Sequence, residues 1–574
     1  MKKYGLVFIL SMLGATLFAQ VDTAYMRREY TPTLQSFQKI NQNAEINDPE
    51  AEAVTFDYYI TPKAYDVSFT PTPIKPAKLG DEFLDPLYRN YLKVGFGTTL
   101  TPLLQFYAHN LRSKKMSYGI NIDHLSHWAK IKGYGPTGAS DSKIDLGFKY
   151  FFGKDYTMDI RAGYNHLLNH YYGFQTDSVV YTRKDAQFRN EFHAASASVK
   201  FGSNYTVEDK RLKQNYHIKY DFITGLHQDK EHGVKFNSDW AYDVRWMKIS
   251  GSQNYKLKFD FEYFQNNIPK MTMDMPPYSR SNRFLIGATP LISTNIKEYH
   301  INVGINLAGV IDKTTDSNYR RFKIHPIVEL QLGIVPGIMN IYANITGKTH
   351  YTSYLDIIRN NPYVIPDLWD LRYTDDLFEI NGGLRGNLFK KFNYHLGVSY
   401  TYCDNALFFV LDSTGYANRY RVFFDKGSYL KLNGNFNWEV ITSLMLGLDV
   451  NYQRYWLKKT EHAPYTPNLE FKLFARYRYK DLFTLSFDSY MAFLNKAAVL
   501  ADDIHFYNMK PYLDFNLGFE YHITRNFNAF LNLNNIACLR NAQWFNYPTY
   551  RINGMVGISY SFGKEKVKEE KKKK

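Results

Sequence analysis

The feature that most restricts this chain is a two-residue rhythm that persists from Tyr91 to Phe562. In Tyr255-Lys256-Leu257-Lys258-Phe259-Asp260-Phe261-Glu262-Tyr263 every odd position is apolar or aromatic and every even one charged. Leu469, Phe471, Leu473, Ala475, Tyr477 and Tyr479 repeat the pattern, with Glu470, Lys472, Arg476 and Arg478 on the opposite face; 513–523, 144–150 and 444–452 behave alike. Successive side chains of a strand point to opposite faces, so each such ribbon has one greasy face and one wet face.

A soluble β-sandwich would alternate in the same way, and three observations weigh against it. The apolar faces are crowded with aromatics (49 Tyr, 42 Phe and 7 Trp), as girdles at two membrane interfaces require. Connections alternate short and long. Tight turns are expected at 153–155, 250–252, 295–297, 335–337, 480–481 and 524–526, and long polar connections at 174–186, 266–282, 352–376, 457–465 and 500–510; short periplasmic turns facing long outer loops are the barrel arrangement. Finally, the last strand (Ile552, Gly554, Val556, Ile558, Tyr560, Phe562) ends on aromatics and only a charged tail follows. Tyr560 and Phe562 are therefore expected to form the C-terminal signal read by the barrel-assembly machinery.

Counting ribbons gives about 22 strands over 89–562, an even number, and the expected fold is all-β: a closed antiparallel transmembrane barrel. Closure follows from the solvent, because an open sheet edge in hydrocarbon leaves backbone N–H and C=O groups without partners. Beyond the N-terminal leader, no stretch reaches 18 consecutive apolar residues, which excludes a helical membrane protein.

The ends of the chain carry address and tail. Residues 1–19 read as a signal peptide: Lys2-Lys3, an apolar run from Leu6 to about Leu17, and Ala19 before the cut. Residues 20–88 carry prolines at 32, 49, 62, 71, 73, 76 and 86, and form either a periplasmic segment beneath or inside the barrel or a linker. Residues 563–574 form a lysine-rich periplasmic tail, so both termini are expected in the periplasm and the barrel in the outer membrane, against lipid. That tail and the leader hold part of the +15 net charge, and the remainder is spread without an Arg-rich stripe, which argues against nucleic acid. Cys403 and Cys538 lack metal-ligand spacing, and no cofactor or metal is expected.

Several segments carry a family likeness. Arg28-Glu29-Tyr30-Thr31-Pro32-Thr33, Pro71 to Lys78, Tyr91 to Gly97, Leu111 to Lys114 and Asp123 to His127 resemble outer-membrane barrels of the TonB-dependent-receptor-like kind; Leu531 to Asn535 with Val556 to Phe562 looks like their closing hairpin. The resemblance implies a 22-stranded barrel. True receptors of that family place a plug of more than a hundred residues, preceded by an energy-coupling box, ahead of the barrel; here about 68 residues stand in that place and no box is evident, which puts energy-coupled import in doubt.

The wet face supplies the candidate lumen residues Lys256, Lys258, Asp260, Glu262, Glu470, Lys472, Arg476 and Arg478. Barrels of 22 strands are usually plugged, so the Pro-rich segment, inward-folded loops or a plugging or capping protein partner should occlude this one. The leading expectation is a transporter or gated channel whose solute first meets loop aromatics such as Tyr278, Trp369 and Tyr373. The alternative is a non-transport subunit or scaffold of an outer-membrane complex. An enzyme is not expected. His124 and His127, with Ser126 between them, point to opposite strand faces, and His166 and His170 share a face but lie about 13 Å apart along a strand.

Overall fold

The computed structural model describes residues 87–564 apart from Arg112, 177–181, 206–210, 245–251, 270–277, 314–317 and 366–370. The expected leader, the Pro-rich segment as far as residue 86 and all but the first two residues of the lysine tail lie outside the described residues, as do the first two residues of the turn expected at 250–252.

Among the described residues, twenty-two antiparallel strands close into a ring. Each pairs with the next along the chain, and the last strand (Asn553–Lys564) returns to the first (Tyr88–Gly97) through Leu92↔Tyr560, Val94↔Ile558 and Phe96↔Val556. No edge is left to hydrocarbon, as closure requires. Strands run from 8 residues (Phe527–Asn534) to 23 (Arg419–Ile441). The longest therefore exceed the roughly 9–11 residues needed to cross and project beyond the bilayer.

Alternation decides which face meets lipid. Tyr255, Leu257, Ile286, Val303, Ile305, Phe322 and Ile324 are all exposed, Phe322 and Ile324 by 65% and 62%. A continuous apolar exterior of this extent belongs in a membrane rather than in water. The protein is an outer-membrane β-barrel.

One end carries the tight turns, at 153–155, 297–298, 336–338, 480–482 and 525–526, with others at 389–391 and 442–443 that lack an obvious turn signature. Gly153 and Gly337 sit at positive φ there (61° and 72°), which glycine adopts without strain. The first strand begins and the last strand ends at this end.

Three expectations need correction. The connection expected over 266–282 is shorter, because the flanking strands Ser252–Pro269 and Tyr278–Ile296 extend into it. The loop expected at 500–510 holds a hairpin, Lys496–Leu500 with Ile504–Asn508, whose first strand runs parallel to the end of Phe392–Asp412. Its five-residue arms are too short to show a rhythm, and Ala497 and Ala498 are fully buried. The connection 352–372 is not simply a polar loop. It contains the helix Tyr354–Asn360.

Candidate functional site at the closed mouth

At the long-loop end, among the described residues, five connections converge on one apolar cluster instead of standing apart. The helix Tyr354–Asn360 is started by Ser353, whose Oγ accepts the Asp356 amide at 3.2 Å, with Asp356 in its first turn and Arg359 in its last. Tyr354, Ile357 and Ile358 face inward and are buried, where they join Leu167, Phe192, Ile223, Leu285 and Val310 from the inner wall. The inner face of the upper rim is thus apolar at these positions, and the helix packs against it.

Polar contacts fix the helix in register. Glu231, 4% exposed, accepts the Tyr354 amide at 2.9 Å, Asn266 Nδ2 at 2.7 Å and the Tyr351 hydroxyl at 3.0 Å. Arg283, fully buried, donates to Asn266 Oδ1 (2.9 Å) and Ser281 Oγ (2.6 Å) and lies 3.4 Å from Asp312. A buried carboxylate and guanidinium are tolerated here because each is multiply hydrogen-bonded.

Above the helix lies an aromatic layer from distant parts of the chain. Tyr547 stacks on Tyr363 with centroids 3.6 Å apart, and Tyr172 meets Tyr547 edge-on at 4.8 Å. Trp544 packs against Phe409, Tyr420 and Tyr465 within 5.3 Å. The hydroxyls are used: Tyr547 donates to the Asn418 carbonyl, Tyr171 to Val364 (2.9 Å), Tyr172 to Pro548 (3.0 Å) and Tyr420 to Phe545 (2.8 Å). Tyr550 reaches the Ala129 carbonyl at 2.7 Å and so ties the last long connection to an early one. Gly173 is obligatory in this layer, since a Cβ there would lie 2.7 Å from the Tyr547 ring. Burial pushes the hydroxyls of Tyr172 and Tyr547 well above the ordinary tyrosine range and that of Tyr363 to about 12, so all three stay neutral donors.

Outside this layer is a groove of about 540 Å³ whose lining includes Arg372, Phe424, Lys459, Glu461, Asp503 and Phe506. One wall is rigid because the buried Asp425 carboxylate accepts the Lys459 amide (3.0 and 3.1 Å), the Thr460 amide (3.1 Å) and the Thr460 hydroxyl (3.1 Å).

The charged candidates occupy the strands below. Lys256 donates to Ser293 (3.2 Å), Asp260 accepts from Asn237 (2.6 Å), Glu262 lies 3.8 Å from Lys235, and Lys258 pairs in register with Thr289. Glu470 accepts from the Tyr490 hydroxyl, Lys472 lies over the same ring (5.9 Å), and Arg476 reaches Asp488 at 2.6 Å. Arg478 sits at the tight-turn end against Asp481 (3.0 Å), outside the neighbourhood of the others. Tyr560 and Phe562 stack at 5.4 Å on the closing strand.

Tyr373 overturns its reading as a solute-facing loop aromatic. It opens a strand and is 6% exposed within the buried cluster, because apolar rim positions pack against the inward-folded helix. Trp369 and the Tyr278 side chain lie outside the described residues. The histidines separate as strand geometry demands: His124 bonds Ser142 (2.8 Å) while His127 bonds Thr101 (2.9 Å). His170 is buried between the Gly138 and Arg183 carbonyls (2.5 and 3.1 Å). His166 instead meets Glu191 and His193 of the adjoining strand, a grouping that spacing within one strand could not disclose.

No protein-family model and no curated protein matches the sequence. Solved structures do. The chain is similar to the pyoverdine receptor FpvA of Pseudomonas aeruginosa, with a TM-score of 0.64 and 10% identity over 83% of this chain and 72% of that one. It is also similar to the ferric-catecholate import receptor Fiu of Escherichia coli K12 (TM-score 0.59, 9% identity, 83% and 82% covered). A third likeness is to the iron transporter FrpB of Neisseria meningitidis (TM-score 0.60, 8% identity, 82% and 81% covered). The fold is that of the TonB-dependent receptor barrel. These neighbours are receptors and transporters rather than enzymes.

Proposed function

We propose that the protein is an outer-membrane transporter or gated channel whose solute enters through the closed mouth. The observation that carries this reading is the contrast between the two levels of the interior. The wall below is lined with paired charges, as at Asp159–Arg161 (2.9 Å) and Lys219–Asp221 (2.8 Å), and suits a wet path. At the mouth above, inward-folded loops meet in a buried cluster of apolar and aromatic side chains. A structural scaffold needs no such lid, whereas a conduit of 22 strands needs one to preserve the permeability barrier. The likeness to siderophore receptors supports the reading at the level of fold. The groove at Arg372, Lys459 and Phe506 is of the size that accepts a small solute and is the proposed first contact. The charged residues from Lys256 to Arg476 are proposed to line the path, and Tyr560 with Phe562 to serve assembly.

The test is conductance of the mature chain in planar bilayers, alone, with residues 21–88 removed, with the lid loosened by Tyr547→Ala, and with both changes together. A stable conductance that appears only when both obstacles are relieved supports a gated conduit. Silence in every variant, together with a stoichiometric partner on purification, supports the scaffold reading instead.

A further inference from the structure

On the outward face of the barrel, near the long-loop end, three side chains from two neighbouring strands converge. His166 and His193 are direct partners in the register between Tyr156–His170 and Arg189–Ser203, and Glu191 lies two residues from His193 on the same face. His166 Nε2 is 2.7 Å from Glu191 Oε1, and His193 Nε2 is 3.9 Å from the same oxygen. One donor atom from each of the three lies within 4.8 Å of the others.

The surroundings orient these atoms toward one point. The Tyr164 hydroxyl holds His193 Nδ1 at 2.7 Å, which leaves Nε2 free to face Glu191. Arg189 binds the second carboxylate oxygen, Oε2, so that Oε1 is the one presented to both imidazoles. The imidazole rings are 4.9 Å apart and tilted by 32°. Tethering of the far ring nitrogen and the far carboxylate oxygen is how metal-ligating histidines and carboxylates are positioned.

We propose that His166, Glu191 and His193 form a surface site for one divalent first-row transition-metal ion, with zinc as its type. The donor set is two imidazoles and a carboxylate, which suits such ions rather than calcium or magnesium. With bonds of about 2.0–2.1 Å, a tetrahedral ion separates its donors by about 3.3 Å. The observed 2.7 and 3.9 Å fall on either side of that value and the two imidazole nitrogens lie within 4.8 Å of each other, so loading requires side-chain rotations that open the His166–Glu191 contact, close the His193–Glu191 one and draw the imidazoles together by up to about 1.5 Å. On loading, the ion takes the place of the hydrogen between His166 Nε2 and Glu191, and that proton passes to Nδ1 of the same ring or to solvent. Three protein donors leave one position for water or for an anionic headgroup oxygen of the outer leaflet. The proposal is independent of what the lumen carries.

The test is calorimetric titration of Zn²⁺ into the full mature chain in detergent, purified through a tag free of histidine. One ion per chain is expected. His166→Ala, His193→Ala and Glu191→Gln should each weaken binding by about tenfold or more, while His109→Ala and His462→Ala leave it unchanged. Tyr164→Phe should weaken it less than loss of a donor. Every variant is checked for the heat-modifiable gel mobility of a closed barrel, and the glutamine variant retains the shape of Glu191 should a histidine variant fail to assemble. Absence of stoichiometric binding to the wild-type chain overturns the proposal. So does binding of undiminished affinity in the Glu191→Gln variant or in either folded histidine variant.

Discussion

Replacing Tyr547 with alanine should open the mouth without unfolding the wall. The ring is buried, with 2% exposure, and stacks on Tyr363, while its hydroxyl donates to the Asn418 carbonyl. Loss of a fully packed aromatic costs about 3–5 kcal/mol, and loss of the hydroxyl's hydrogen bond adds about 1 kcal/mol. At about 1.4 kcal/mol per factor of ten, the closed state is disfavoured by roughly three to four orders of magnitude, up to the lid's own stability. The wall is held by a different set of interactions, the backbone pairing of a closed ring, in which Tyr547 takes no part. Hydrogen exchange followed by mass spectrometry in detergent reads the two levels separately. Amides of Tyr354–Asn360 should exchange far faster in the variant, while those of strands such as Ser252–Pro269 stay protected. Tyr547→Phe keeps the ring and should produce only about a fivefold effect, that of the missing hydroxyl. If the helix amides keep wild-type protection in Tyr547→Ala, the aromatic layer does not hold the lid. If helix and strands lose protection together, lid and wall are one cooperative unit and the reasoning fails.

Three further outcomes follow from named contacts. Glu231→Ala removes the acceptor for the Tyr354 amide, Asn266 and Tyr351 and should destabilise the lid by about 3 kcal/mol, seen as faster cleavage within 352–372 by added protease with the rest of the barrel resistant. Asp229, in the turn beneath the helix, has its carboxyl pushed up chiefly by burial, so its contribution to lid stability is fully present at acid pH and is lost as pH rises through the raised value. Asp229→Asn should therefore protect the helix amides more than wild type at neutral pH and no more at acid pH; His227 nearby, held below the ordinary range by burial and then by Arg419, acts with the opposite sign in both proteins and cancels in the comparison. Phe562→Ala should lower the amount of heat-modifiable barrel recovered from outer membranes while leaving the melting behaviour of the assembled fraction unchanged; equal loss of both would make Phe562 a packing residue rather than an assembly signal.

The wall was legible because its signal is local. Tyr255 and Lys256 report opposite faces of a strand from adjacent positions, and the same rule repeats along the whole ring, so alternation yields strands and faces, and the hydrocarbon solvent then demands closure. The lid was not legible, for the converse reason. Tyr547 meets Asn418 across 129 positions and Tyr550 meets Ala129 across 421, and no period connects them. Tyr373 shows how the error arises: an aromatic beside a long connection looks like a surface contact until the connection folds inward and buries it. His166, Glu191 and His193 lie between these cases. The pair at 191 and 193 shares a strand face, which spacing shows, but their meeting with His166 depends on inter-strand register, which a single sequence does not carry.

The same division explains how a barrel can carry a gate. A loop lid on a soluble domain usually shares its core with the fold beneath, so that opening the lid exposes that core. Here the wall draws its integrity from inter-strand hydrogen bonds and from lipid on its outer face, and the apolar cluster at the mouth is an addition to it. The polar latch around Glu231 and Arg283 ties that cluster to the wall, because Glu231 accepts from both the helix amide and Asn266, and Arg283 holds Asn266 in turn. A ligand that binds the open mouth better than the closed one shifts the balance by the difference between those affinities and no more. A lid held by about 10 kcal/mol would open only for a solute that prefers the open mouth by about seven orders of magnitude. Truncating Tyr547, Tyr363 and Trp544 one at a time and in pairs measures how the holding energy is divided: additive effects would mean separable contacts that a solute could release in turn, and strongly non-additive ones a single latch that opens at once.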